Sequence, residues 1–331
     1  MKYIEVEKTY LSKVLSALKK YNLQMTTQLF DFRRKINDKY GYLYFKHIND
    51  QVLITRLSNE TKLSKRVIYN SLIEQYIKYS LWQENFSQEI NADISYFDVA
   101  INFNIMCCVI DNALDNDDKY LNKDKAMRLA NWENLEKYFL FKEEYIYEGD
   151  VIDYLMRKVI LSLQKMFNEN KTRYLYILER IKSAIESEEY MSKLPMKEIS
   201  DYNLLINKSI KFEESCFLLV AFNNEEDIHR INELSELIAH IYWLIDDICD
   251  LFEDYRKGNN NSILYLYQNR INMEFDWNYI CNDIENHIKK LSDIFDKLKS
   301  NINEDLFLYL RLIVAEWSQP MNYRLKELIK L

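Results

Sequence analysis

The chain has 331 residues and a net charge of −8 at pH 7, with 48% apolar residues but only three glycines and two prolines. Average usage would give about 23 glycines and 16 prolines, and the shortage argues against α/β, sandwich and propeller folds, whose many tight turns need both residues. It also excludes glycine-rich phosphate loops, and the acidic charge argues against nucleic acid as a partner.

Apolar residues recur at three- and four-residue spacing through most of the chain, which is typical of amphipathic helices. The pattern predicts helices over residues 4–20, 23–37, 62–82, 96–115, 123–141, 150–168, 172–188, 198–222, 227–255, 262–270, 275–300 and 303–318. Breaks fall at clusters of Asn and Asp and at Pro195 and Pro320. No linker rich in Pro, Gly or Ser divides the chain, so residues 1–331 are predicted to form a single all-α domain.

The cellular location is predicted from what the sequence lacks. No apolar run approaches the roughly 18 residues of a membrane span, and the first residues have no long apolar core of the kind found in secretory signals. The five cysteines are odd in number and have no C-x-x-C spacing, which favours reduced core residues in a cytoplasmic protein. They are Cys107, Cys108, Cys216, Cys249 and Cys281.

Two of the predicted helices are apolar around most of their circumference and then carry acids. They include residues 103–115 and 237–255. A helix without a polar face is normally central in a fold, so we expect its acids to point away from bulk water.

The acids on these two helices recur every four residues, which places them on one helix face. Partly buried carboxylates are costly unless they are paired or bind a metal, and all-oxygen ligands favour Mg²⁺ over zinc. A solvated acidic face is the alternative interpretation. The candidate metal ligands are Asp111, Asp115, Asp246, Asp247, Asp250 and Asp254.

Both acidic segments resemble a known motif. Asp246-Asp-Ile-Cys-Asp250 fits D-D-x-x-D, and Asp111-Asn-Ala-Leu-Asp115 is similar, with Asn in the second position. Two such motifs resemble the signature of class I isoprenoid synthases, which include trans-prenyltransferases, class I terpene cyclases and squalene/phytoene synthases. The stretch from Asp250 to Gly258 is also similar to the D-x-x-E-D…G segment of phytoene synthases and large bacterial terpene synthases, and Gly258 is predicted to end its helix.

The resemblance implies a fold, a substrate and a cofactor. The fold is a large antiparallel bundle of helices around a central apolar cavity, with the two motifs on facing helices. The substrate is an allylic prenyl diphosphate, and three Mg²⁺ ions, with Mn²⁺ as an alternative, bind between the aspartates and the diphosphate.

Cationic and aromatic side chains are expected to complete such a site. Cations neutralise the departing diphosphate, and aromatic faces stabilise the allylic carbocation. Each candidate has an ordinary alternative as a surface base or a core residue. The catalytic candidates are Lys208, Arg256, Lys257 and Arg324. The candidate substrate contacts are Lys208, Lys211, Lys257, Phe103 and Tyr242.

The chain departs from the chain-elongating prenyltransferases in two respects. It has no Gly-Lys-x-Arg segment near its start and no Arg-Arg pair after the first motif. Asn112 also leaves the first group one carboxylate short, which favours a cyclase.

The leading prediction is a Mg²⁺-dependent terpene synthase, a carbon–oxygen lyase that ionises a prenyl diphosphate, cyclises the carbocation and releases diphosphate. A prenyltransferase that joins two isoprenoid diphosphates, by chain elongation or head-to-head condensation, is the first alternative. A non-catalytic partner subunit with the same fold and an acidic interaction module without a ligand are alternatives of another class. The sequence leaves the oligomeric state open, and a homodimer is one alternative.

Overall fold

A computed structural model of the chain describes residues 2–41, 48, 50–86, 94–115, 123–146, 149–193, 202–223, 226–269 and 274–330. Within these ranges the chain is helical apart from its connections and one short antiparallel ladder, which confirms the all-α prediction. In that ladder Gln268 pairs with Phe275 and Asn269 pairs with Glu274. We name its strands β1, Gln268–Asn269, and β2, Glu274–Phe275.

The helices, in chain order, are α1 Lys2–Lys20, α2 Thr27–Ile36, α3 Gln51–Thr61, α4 Lys65–Glu84, α5 Ile94–Asp115, α6 Lys123–Leu129, α7 Trp132–Phe139, α8 Val151–Glu169, α9 Lys171–Lys193, α10 Tyr202–Val220, α11 Ile228–Lys257, α12 Ser262–Tyr267, α13 Trp277–Leu298, α14 Glu304–Trp317 and α15 Gln319–Lys330. A π-helical turn, Asn37–Gly41, continues α2.

The helix starts explain how a chain with so few glycines turns. Asn, Asp and Ser side chains cap the backbone N–H groups of the first turn, which the helix itself leaves unpaired. Asp50, Ser64, Asp150 and Asn303 do this for α3, α4, α8 and α14. The prediction that helices break at clusters of Asn and Asp is confirmed at Asp50 before α3, between α10 and α11, and between α11 and α12.

Several predicted boundaries are wrong. The sequence pattern missed α3 and α15, and it merged α6 and α7 into one helix over 123–141. The predicted helix is interrupted at Asn131, because the side chain of Asn131 caps the first turn of α7. Pro320 does mark a boundary, but it lies in the first turn of a new helix, where its missing N–H costs nothing. Pro195 lies outside the described residues.

The chain divides into two compact units, and the single-domain hypothesis stays a prediction. The first unit comprises residues 1–33, 193–210 and 236–331. In it α1 packs against α13 and α15, and the hydroxyl of Tyr10 donates a buried hydrogen bond of 2.8 Å to the carbonyl of Ile248 on α11.

The second unit comprises residues 34–192 and 211–235. In it α5 packs against α8, and α3 packs against α4 and α8. Trp82 is fully buried, and its Nε1 donates a hydrogen bond of 2.9 Å to the carbonyl of Phe217.

The structure bears on two further predictions, that the cysteines are reduced core residues and that no segment spans a membrane. All five cysteines are free, and Cys216 and Cys281 are buried. Cys108 is exposed, so the prediction that all five are core residues is wrong for this one, whose side chain lies on the exposed side of α5. Among the described helices, none is long and apolar enough to cross a membrane.

Candidate functional site

The candidate site is built on α11, which has 30 residues and two distinct sides. Ile241, Ile245 and Ile248 recur at three- and four-residue spacing and are 0% exposed. Asp246 and Asp250 lie on the other side and are exposed. The expectation that these acids point away from bulk water is therefore wrong, because the apolar residues occupy a continuous stripe and leave the opposite face to the acids.

The carboxylates of this face repel one another. Each step of four residues advances only about 40° around a helix, so Asp246, Asp250 and Asp254 occupy one narrow sector. The side chain of Asp250 is exposed as a whole, but neighbouring groups partly shield its carboxylate from water, which raises its pKa; the charge of Glu253 raises the pKa further, and Lys257 opposes the shift. Because the ionised form is disfavoured here, a bound cation would be favoured on electrostatic grounds.

Asp254 ends the sector and is held by the segment that follows α11. It is half-buried, and Oδ2 accepts a hydrogen bond of 2.9 Å from Nδ2 of Asn261. Burial raises the pKa of Asp254 to about 6, with a contribution from Asp250, while the hydrogen bond from Asn261 opposes the shift.

Asp247 lies on the flank of α11. Its Oδ2 accepts hydrogen bonds from Nε1 of Trp243 at 2.8 Å, from the backbone N–H of Ser262 at 3.1 Å and from the hydroxyl of Ser262. Burial raises the pKa of Asp247 to about 6, although its hydrogen bonds with Ser262 oppose the shift. This carboxylate is therefore already engaged by three donors.

Gly258 ends α11 as predicted. Its φ of 75° is in the left-handed region that favours glycine, and the N–H groups of Gly258 and Asn259 donate to the carbonyl of Asp254 at 2.8 and 3.0 Å. The chain then turns back, so that Asn261 and Ser262 reach the flank of α11.

The second aspartate group lies on α5. Asp111 is half-buried, and the backbone of Asp115 forms the last residue of the helix. The side chains of Asn112 and Asp115 lie outside the described residues. The structure therefore describes one of the two acids in this group.

Three of the candidate cations already have carboxylate partners. Lys257 pairs with Glu253 at 2.7 Å, Lys211 with Glu214 at 2.7 Å, and Arg324 with Glu7 at 2.8 Å. Both members of the Lys257 pair are exposed, whereas Glu214 and Glu7 are buried. The other two candidates are Arg256, exposed in the last turn of α11, and Lys208, half-buried in α10.

The two candidate aromatic residues are core residues of their own units. Phe103 is 0% exposed, and its ring centroid lies 5.9 Å from that of Phe212. Tyr242 is 8% exposed and packs its ring edge-on against Trp317, with the centroids 5.7 Å apart.

The candidates therefore divide between the units. The first unit holds Lys208, Tyr242, Asp246, Asp247, Asp250, Asp254, Arg256, Lys257 and Arg324, and the second holds Phe103, Asp111, Asp115 and Lys211. Within the first unit, α11 itself brings the four aspartates together with Arg256 and Lys257.

The donor chemistry of α11 fits magnesium. Its acids supply oxygen ligands, and Mg²⁺ is commonly bound by one or two carboxylates together with substrate phosphates and water. Among the described residues, no three or more His, Cys, Asp or Glu side chains form a group that could hold a metal ion by themselves. A site that is completed by diphosphate is compatible with this arrangement.

Sequence reasoning missed Asn261 and Ser262. Asn261 follows two other asparagines and precedes an apolar run, which is the pattern of a helix N-cap. That pattern could have located the start of α12, but it carries no information on which side chain the amide nitrogen of Asn261 meets.

Comparison with known proteins assigns no family. No family model matches the sequence, and none of the curated proteins matches it significantly.

Proposed function

We propose that the chain is a Mg²⁺-dependent class I terpene synthase, which ionises an allylic prenyl diphosphate and cyclises the carbocation. The observation that carries the proposal is the polar face of α11, where Asp246, Asp250 and Asp254 recur every four residues along a helix whose other face is buried. The resemblance of this run to D-D-x-x-D, and of Gly258 to the glycine that closes the family segment, supports the same assignment.

In this proposal Asp246, Asp250 and Asp254 hold Mg²⁺, which as a Lewis acid would neutralise the charge of the leaving diphosphate. The resembling families use a second aspartate group for the same ions, and the proposal assigns that role to Asp111 and Asp115. We assign Asp247 no ligand role, because its Oδ2 already accepts three hydrogen bonds.

The candidate cations can be ranked by the cost of breaking the ion pairs that they already form. A pair of exposed side chains is worth little, so Lys257 can leave Glu253 for a diphosphate oxygen at small cost. Arg324 is paired with the buried Glu7, and leaving that carboxylate without this partner is expensive. Lys211 shares the buried Glu214 with Arg180, and moving Lys211 would take away the shorter of these two ion pairs. The proposal therefore assigns diphosphate binding to Arg256 and Lys257 before Lys211 and Arg324, and it keeps Lys208 on α10 as a further candidate outside this ranking.

The two aromatic candidates are both buried in the structure. An aromatic face stabilises a carbocation only where the face meets the substrate. Phe103 and Tyr242 both pack against another ring, so the proposal requires that the substrate reach a buried ring in each case.

The test is an assay of the purified full chain with Mg²⁺ and allylic prenyl diphosphates of increasing length, with and without isopentenyl diphosphate. We expect release of inorganic diphosphate and a hydrocarbon or alcohol product from one allylic substrate alone, detected by gas chromatography and mass spectrometry.

Two other outcomes would contradict this proposal. A longer diphosphate made only when isopentenyl diphosphate is present would indicate a prenyltransferase. No diphosphate release from any substrate, together with no thermal stabilisation by Mg²⁺ and diphosphate, would indicate a non-catalytic helical protein, because a ligand that binds the folded state must stabilise it.

A further inference from the structure

The side-chain amide of Asn261 uses all of its hydrogen-bonding capacity. Its Oδ1 accepts from the N–H groups of Ile263 and Leu264 at 3.0 and 3.2 Å, which caps α12. Its Nδ2 donates to the carbonyl of Asp247 at 3.0 Å and to Oδ2 of Asp254 at 2.9 Å. The residue is 1% exposed, so water does not compete for these bonds.

This arrangement fixes the orientation of the amide. Turning it over would place a nitrogen against two N–H donors and an oxygen against two acceptors, so all four bonds would be lost. Nδ2 is therefore held towards Asp254 by the cap of α12 and by the backbone of α11.

The carboxylate of Asp254 keeps capacity for a further ligand. Its Oδ2 accepts a hydrogen bond of 2.9 Å from Nδ2 of Asn261. A carboxylate offers about four acceptor positions on its two oxygens. Asn261 takes one of these positions, which leaves acceptor capacity on the carboxylate of Asp254 for a metal ion.

We propose that Asn261 is a positioning residue, which holds the carboxylate of Asp254 in the orientation that binds Mg²⁺. This inference rests on the proposed function, because it takes Asp254 as a metal ligand. Partners that orient metal ligands typically change metal affinity or activity about 10- to 100-fold when they are removed.

The alternative is that Asn261 only caps α12. Asn261→Ser separates the two roles, because serine caps a helix about as well as asparagine and carries no charge, but its shorter side chain does not reach Asp254. Asn131 provides a matched control. Its Oδ1 caps α7 through the N–H of Asn134 at 3.1 Å, and its Nδ2 donates to Oε1 of Glu189 at 2.5 Å, which is not a candidate ligand. Asn131→Ser therefore loses the same kind of bond.

The experiment measures Mn²⁺ binding by electron paramagnetic resonance, with inorganic diphosphate present, for the wild type, Asn261→Ser, Asn131→Ser and Asp254→Asn. Far-UV circular dichroism checks the fold of each variant, and Asn261→Thr, which also caps a helix and carries no charge, replaces the serine variant if that one does not fold. We expect the Mn²⁺ dissociation constant to rise about tenfold or more in Asn261→Ser and Asp254→Asn and to stay at the wild-type value in Asn131→Ser.

A kinetic measurement separates positioning from general damage. The Mg²⁺ concentration that gives half-maximal diphosphate release should rise in Asn261→Ser, and kcat should recover at saturating Mg²⁺. A lowered kcat with unchanged metal dependence would overturn the positioning role.

Failure of this inference and failure of the proposed function give different results. Wild-type turnover with the same Mn²⁺ affinity in Asn261→Ser would overturn the positioning role and leave the function standing. Mn²⁺ binding that is weakened in Asn261→Ser, without turnover of any allylic diphosphate by the wild type, would support the positioning role and contradict the terpene synthase. No Mn²⁺ binding by the wild type would overturn both.

Discussion

Nε1 of Trp243 donates a hydrogen bond of 2.8 Å to Oδ2 of Asp247, one turn further along α11. The same oxygen accepts from the backbone and the hydroxyl of Ser262, at the start of α12. Asp247 therefore tethers the acid-bearing helix to the segment that follows it. Adjacent aspartates in one short motif thus have different surroundings, with Asp246 exposed and Asp247 enclosed by donors.

Replacing Asp247 should affect stability according to whether the new side chain can accept hydrogen bonds. Asp247→Leu leaves the donors of Trp243 and Ser262 without an acceptor, which should cost about 2 kcal/mol or more in the free energy of unfolding. Asp247→Asn keeps an acceptor oxygen and removes a buried charge, so it should stay within about 1 kcal/mol of the wild type. Urea unfolding at pH 7 measures both, and equal losses in the two variants would contradict the tether.

Two glycines should respond differently to the same substitution. Gly258 has a φ of 75°, so Gly258→Ala places a Cβ in the left-handed region and should cost about 1 kcal/mol. Gly41 has no positive φ, and an added Cβ meets nothing within 4 Å there, so Gly41→Ala should be neutral or slightly stabilising. Thermal unfolding of both variants compares them directly, and equal shifts in Tm would contradict the assignment of Gly258 as a cap.

His287 should make the protein sensitive to acid. It is 3% exposed, and its Nε2 lies 3.2 Å from the hydroxyl of Tyr267. Burial lowers its pKa to about 4, Lys290 lowers it further, and Asp283 opposes the shift. The folded state thus binds this proton less readily than the unfolded state, so the contribution to stability is complete above pH 6.5 and is lost as the pH falls towards 4.

The variant His287→Gln isolates that contribution, since the other titrating groups are common to both proteins. Between pH 7.5 and pH 4.5, the wild type should lose about 2 kcal/mol more unfolding free energy than His287→Gln. Parallel pH profiles for the two proteins would show that His287 is not protonated on unfolding.

A buried ion pair of the second unit should be sensitive to the loss of one partner. Nζ of Lys125 lies 2.7 Å from Oδ2 of Asp153 and 2.8 Å from Oδ2 of Asp150, and both Lys125 and Asp153 are buried. Lys125→Met leaves buried carboxylate charge without its partner and should destabilise the fold by about 3 kcal/mol or more. The exposed Lys142 provides the control, and Lys142→Met should stay within about 0.5 kcal/mol of the wild type. Chemical denaturation of both variants checks the difference.

The sequence predicted the fold class because helical periodicity depends on local spacing, which a single chain displays directly. It predicted the end of α11 at Gly258 for the same reason. It missed α15 because a proline was taken only as a stop, although proline also suits the first turn of a helix.

The candidate site was predicted less completely than the fold. The four-residue spacing placed Asp246, Asp250 and Asp254 on one face of α11, since that follows from helix geometry alone. The surroundings of Asp247 and the contact between Asn261 and Asp254 depend on how the chain turns back after Gly258, and spacing carries no information on that path.

The central claim is that the carboxylates of α11 bind the metal ions that activate a diphosphate leaving group. The most direct test is the rate of diphosphate release from an allylic prenyl diphosphate with Mg²⁺ by the wild type, Asp250→Asn and the control Asp296→Asn, which changes an exposed aspartate on α13 in the same way. We predict that release requires Mg²⁺, falls more than about 100-fold in Asp250→Asn and is unchanged in Asp296→Asn. Equal rates in all three proteins, or no release by the wild type, would contradict the claim.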